Sequence, residues 1–252
     1  MNRFVLRICL LAALVLGLLP TLASGQSRAT GEGLDLTATD GIRFLAAEGR
    51  YEATGNVQLV VGDWIVLADR VVATLDADQQ KMERLSATGK VFLQRETLKA
   101  RVSDLTLKLN PQKLTLRGAP INMQMGEDRL VSEGTLSFDL ESGSMSLEQA
   151  FVLQAAGAVI SGGAATVTTA SGVVQELRVR DGADVERGDF RAAAQSLRYD
   201  REAGEVFLDG AVVLQSGGVL LSGASAVFDL TSGALQLNND SDQRISGALL
   251  SQ

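Results

Sequence analysis

Chemistry in a protein chain needs groups that exchange protons near neutrality, attack as nucleophiles or hold metals, and this sequence offers few. It has no histidine and a single cysteine, Cys9. Zinc sites, Cys-His nucleophiles and the Ser-His-Asp triad are thereby excluded, and the reading is a non-enzymatic protein without cofactor or metal. Carboxylate pairs such as Glu127-Asp128 and Glu202 with Glu205 lie in turn-like stretches and read as solvated loops. More regular are FDLESGSM (138–145), YDREAGEV (199–206) and FDLTSGAL (228–235), which share an Asp four residues before a Gly. One acid per repeat cannot gather the six to eight oxygens calcium takes, so these are hairpin corners: Asp bonds turn amides and Gly supplies a positive φ. The only tryptophan, Trp64 in GDWIV, stands at the start of a strand and reads as a packing or rim residue.

The elements behind these corners follow from their spacing. Glycines 143, 172, 204 and 233 stand 29, 32 and 29 residues apart, and 76–80 and 110–113 hold equivalent places upstream, which makes about six units. Between corners the grammar is that of ATGNVQLVVGDWIVLADRVVATL (53–75), which returns from Ala87 and from Asp209. Gly55-Asn56 reads as a turn signal and Gly62-Asp63 as a break, with alternation through Val57, Leu59, Ile65, Leu67 and Val71: two strands and a hairpin. A hairpin cannot bury its own apolar face, so the repeat predicts an all-β antiparallel array of stacked hairpins. Its inward face is expected to hold Val57, Leu59, Ile65, Leu67, Val91, Leu93, Leu105, Leu107, Phe138, Phe207, Leu214, Leu221 and Phe228, simply as core in the plainest reading. Helix formers at 146–156 and 190–198 fall where the repeat demands strands, and the array is expected to override them. Residues 26–33 read as a flexible lead-in and 238–252 as a flexible tail.

The N-terminus carries Arg3 and Arg7, an apolar run from Ile8 to Leu19, then Pro20 and small residues. That order is a cleaved signal peptide over 1–25, with an uncleaved anchor as the alternative. Removing Arg3 and Arg7 with no acid takes the net charge from −7 to −9. An acidic exported chain is a poor partner for nucleic acid, and losing Cys9 leaves no disulfide framework.

ATGNVQLVVGDWIVLADRVV, GAPINMQM and DGAVVLQSGGVLLSGASAVFDL resemble the OstA repeat of the LptA-type lipopolysaccharide-transport proteins. The resemblance covers about 34–237, as one unit or as halves 34–118 and 119–237, about two hairpins longer than a typical member. It implies a β-jellyroll folded like a taco, with lipopolysaccharide or lipid A acyl chains in the groove and sugars outside. It also implies lipid contact at the opening strand, here Leu34 and Leu36, and a periplasmic location. Implied partners are an inner-membrane LptC-like and an outer-membrane LptD-like jellyroll, with head-to-tail self-association through open sheet edges. The competing readings are an exported β-solenoid or adhesin-like scaffold without lipid, and a polysaccharide-active enzyme on a β-helix, for which no cluster of acids or bases on one face is present.

Overall fold

The computed structural model describes residues 27–31, 34–78, 81–239 and 246–249, so the expected signal peptide lies outside the described residues. Alternating apolar and polar residues in runs of about a dozen form the long strands β4 (Arg50–Val61), β5 (Trp64–Leu75), β6 (Met82–Arg95), β7 (Leu98–Leu109), β8 (Gln112–Met125) and β9 (Asp128–Asp139). They are preceded by β1 (Ser27–Gly31), β2 (Leu34–Ala38) and β3 (Gly41–Leu45). They are followed by β10 (Ser144–Leu147), β11 (Phe151–Ala155), β12 (Ala158–Ala170), β13 (Val173–Arg187), β14 (Phe190–Ala194), β15 (Ser196–Asp200), β16 (Glu205–Ser216), β17 (Val219–Asp229), β18 (Leu235–Asn238) and β19 (Ser246–Leu249). Among the described residues all pair antiparallel in one 19-stranded sheet.

The sheet is a meander in which each strand bonds its neighbours in sequence. Where a strand is split, both pieces share the same flanking strands: β10 and β11 lie between β9 and β12, and β14 and β15 between β13 and β16. The helix formers at 146–156 and 190–198 are in these split strands, so sheet pairing wins over local propensity. β8 crosses position 118, so 34–118 and 119–237 share one sheet and one continuous core. β1 and β19 also carry the sheet into the two stretches that read as flexible, by pairing with β2 and β17.

Each long strand is interrupted near its middle by a register shift, among them 54/57 in β4, 88/91 in β6, 118/121 in β8 and 209/212 in β16. The shifts align from strand to strand, and the sheet folds along that line into a V with its apolar face inside. Gly55-Asn56 is therefore a bulge in the crease, with φ of 79° and 41°, where a hairpin turn was expected. Gly89-Lys90 and Gly210-Ala211 repeat it. The neighbouring strand packs a side chain where a β-carbon would stand: Asp69 would lie 2.5 Å from one on Gly89, and Gln195 2.5 Å from one on Gly210. Gly89 with Val91 on one strand and Leu67-Ala68-Asp69 on its neighbour are thus two halves of one joint.

The strand ends form two lips. One lip carries the turns at 62–63, 96–97, 126–127, 156–157, 188–189 and 217–218, six hairpins among the described residues. The other carries the Asp-x-x-x-Gly corners, built as expected: Asp139 Oδ1 accepts from the amides of Glu141 and Ser142, Asp200 from Ala203, and Asp229 from Thr231 and Ser232. Those amide bonds, led by Ser142, Ala203 and Ser232 respectively, hold all three carboxyls below the usual aspartate range.

Candidate functional site

The interior of the V holds one continuous apolar core, with Asp128 and Ser132 as polar side chains buried on β9. Of the residues expected inside, Leu36, Val57, Leu59, Val91, Leu93, Leu105, Leu107, Phe138, Leu214 and Phe228 are buried there, and Leu221 packs partly buried against the same core. Leu34 sits on β2, with its side chain outside the described set.

Ile65, Leu67 and Phe207 face outward, which corrects their placement. β5 has a register shift between Leu67 and Arg70, and the shift switches which alternate residues point inward. Val71 and Ala73 are inside on one side of the crease, while Trp64, Val66 and Ala68 are inside on the other. Counting back from Val71 through the crease therefore selects the wrong face, and Leu67 is 39% exposed. For Phe207 the register decides: inward Phe228 pairs with Val206, which leaves the Phe207 ring outside under the Arg198 guanidinium, 3.9 Å from its centroid.

The lips meet in the middle of the array. Asp128 is 2% exposed and receives two hydrogen bonds from Arg201 Nη2, at 2.6 and 2.5 Å, and one from the Val174 amide at 3.2 Å. Arg201 Nε also donates to the Val174 carbonyl. From the neighbouring turn of the same lip, Thr97 Oγ1 donates to the Gly172 carbonyl at 3.4 Å. Asp128 is thus not the solvated loop acid its turn-like sequence suggested. It is half of a clasp, and a carboxylate so buried needs its cation and amide to offset desolvation. Nothing local in the sequence marks it, because its partner lies 73 residues away.

Beside the clasp is an opening of about 300 Å³ between the turns at 96–97 and 140–143. Trp64, Leu98, Met125, Phe138 and Leu140 form its apolar wall, and Arg95, Glu96, Thr97 and Glu141 its rim. Trp64 is both packing and rim: it is buried, and Arg95, paired to Asp63 at 2.6 Å, lies 4.9 Å over its ring. Near the clasp the Tyr199 hydroxyl is buried without a hydrogen-bond partner among the described residues, and burial raises its pKa.

The two ends differ. At the β3 end Phe44 stacks on Tyr51 with centroids 4.5 Å apart, yet is 45% exposed. At the other end Phe190 and Phe228 stack across the interior at 3.9 Å and fill it. Among the described residues β1 and β3 form one outer margin of the sheet, and β18 and β19 the other.

A long antiparallel sheet creased into an apolar V with one clasped seam defines a folded-sheet β-jellyroll. Residues 39–143 match the family described as LptA/(LptD N-terminal domain) LPS transport protein. The family is one of transport proteins. The crystal structure of LptH, described as the LptA-homologous periplasmic component of the conserved lipopolysaccharide transport device from Pseudomonas aeruginosa, aligns at 11% identity over 86% of this chain and 95% of that one. Its TM-score of 0.23 is too low to bear on fold or function. No curated protein matches the chain.

Proposed function

We propose that the protein is a periplasmic carrier that takes the acyl chains of lipopolysaccharide, through its lipid A portion, into the V and leaves the sugars outside. The observation behind this reading is the apolar opening beside the clasp, which leads from solvent toward a core continuous along the array. An acyl chain of about a dozen methylenes costs roughly 10 kcal/mol to hold in water, at about 0.8 kcal/mol per methylene, and an apolar trough removes that cost. The interior is tightly filled at rest, so cargo enters by parting the lips. The margins at β1/β3 and β18/β19 suit addition of a partner strand, which supports bridging between LptC-like and LptD-like jellyrolls and head-to-tail self-association.

Photo-crosslinkers at Leu36 and Met125 are expected to capture lipopolysaccharide in cells, while one at the outward Leu67 is not. Folded protein without adducts at both inward positions would sink the proposal. A scaffold without cargo is the second reading, favoured by interior side chains such as Leu85, Leu93 and Leu114 at 0% exposure. Native mass spectrometry of protein from a lipopolysaccharide-making host separates the two: bound glycolipid supports the carrier, and its absence the scaffold.

A further inference from the structure

The strands that frame the apolar opening present a different chemistry on their outer face. Leu98 and Met125 point inward to the opening, and their sequence neighbours Lys99 and Gln124 point outward, opposite each other across β7 and β8. With Phe92, Arg101, Asn122 and Arg129 they line an outer basin of about 400 Å³. Arg101 pairs with Asn122 in the ladder and lies 5.3 Å over the Phe92 ring. Arg129 stands across from Gln124 on β9. Three cations, two amides and an aromatic edge meet there, and among the described residues no carboxylate lines the basin.

That composition stands out in a chain of net charge −7. Farther along the same arm, the equivalent outer basin is lined by Asp184, Glu186, Arg191 and Gln215. Lysine and arginine grouped without acids recognise phosphate or carboxylate oxygens, and side-chain amides beside them suit hydroxyls of a sugar ring. The basin and the opening lie on opposite faces of one lip, one residue apart in the chain.

We infer that this outer basin binds the anionic sugar headgroup of an amphiphile whose acyl chains enter through the adjacent opening, so that the cargo straddles the lip. The inference rests on the carrier reading for its acyl half, while the basin supplies its own anion chemistry. The ligand group is a phosphorylated or carboxylated sugar, and a lipid headgroup and a free sugar phosphate share that chemistry.

The test uses the full exported chain with three probes: bisphosphorylated lipid A, a neutral glycolipid with the same acyl chains, and glucosamine 1-phosphate. The triple variant Lys99→Gln, Arg101→Gln, Arg129→Gln changes exposed positions only, and circular dichroism verifies its fold. Loss of three charge-assisted contacts is expected to weaken lipid A binding by about tenfold or more, while neutral glycolipid binding is unchanged. Asp184→Asn with Glu186→Gln is expected to change neither. Equal lipid A affinity in wild type and triple variant overturns the inference while leaving the carrier reading intact. If the wild type binds neither glycolipid, the carrier reading falls and the sugar phosphate decides the basin. Saturable binding lost in the triple variant then keeps it as a site for soluble anionic sugars, and no saturable binding overturns it.

Discussion

The crease and the lips draw their contacts from different distances along the chain. At the crease every joint links adjacent strands: Asp69 sits on Gly89, Gln149 on Gly134 and Gln195 on Gly210. At the lips the joining residues are 73 and 75 apart, as in Asp128 with Arg201 and Thr97 with Gly172. Closing a short segment costs little chain entropy, and a joint repeated strand after strand adds up. A clasp between distant lips has no such backing. The crease therefore sets the shape, while the lips set whether the interior can be reached.

The largest effect is expected at Gly89 in the crease. Gly89→Val places a β-carbon against Asp69 at a φ of 75°, and a loss of roughly 2–4 kcal/mol is expected in urea unfolding. Gly62→Val on a lip has an equally unfavourable φ of 57° but open space around it, so only about 1 kcal/mol is expected. Equal losses would dissolve the distinction between joint and turn.

Asp128→Ala tests the lips. The variant strands the Arg201 guanidinium and the Val174 amide, for an expected cost of about 2–3 kcal/mol, reduced because Arg201 keeps 29% exposure. Hydrogen exchange should quicken at 96–98, 126–129 and 172–174 and stay slow at the crease. Uniform quickening would show that the clasp supports the whole fold.

The smallest effect belongs to the exposed corners. Asp139, Asp200 and Asp229 have folded pKa values below their unfolded ones, so their stabilisation is fully present above about pH 4 and is lost as pH falls through the folded values. Replacing all three by Asn keeps an oxygen for the turn amides and removes the charge. The stability gap to wild type should be widest at neutral pH and close in acid. A gap that persists in acid would point to lost geometry instead of charge.

The architecture was legible because it repeats. Asp139, Asp200 and Asp229 announce their corners by spacing alone, and the alternation of Leu105 with Leu107, or of Val91 with Leu93, identifies the buried face within half a strand. Legibility stopped at the crease, where an extra residue reverses alternation without any change in composition, and Ile65 and Leu67 were lost to that reversal. The two-residue turn at Gly62-Asp63 held the missing information, since it pairs Leu59 with Val66 and so turns both the same way. The Asp128 clasp was beyond reach, because pairing across the V depends on how far one arm slides along the other.

The meander also bears on how the molecule comes to exist. No long strand has to wait for a distant partner: β4 can pair with β5, and β5 with β6, before the residues of β17 are available. A chain delivered from its N-terminus can therefore assemble strand by strand, and the lip clasp can close only after residue 201 arrives, as a late locking step.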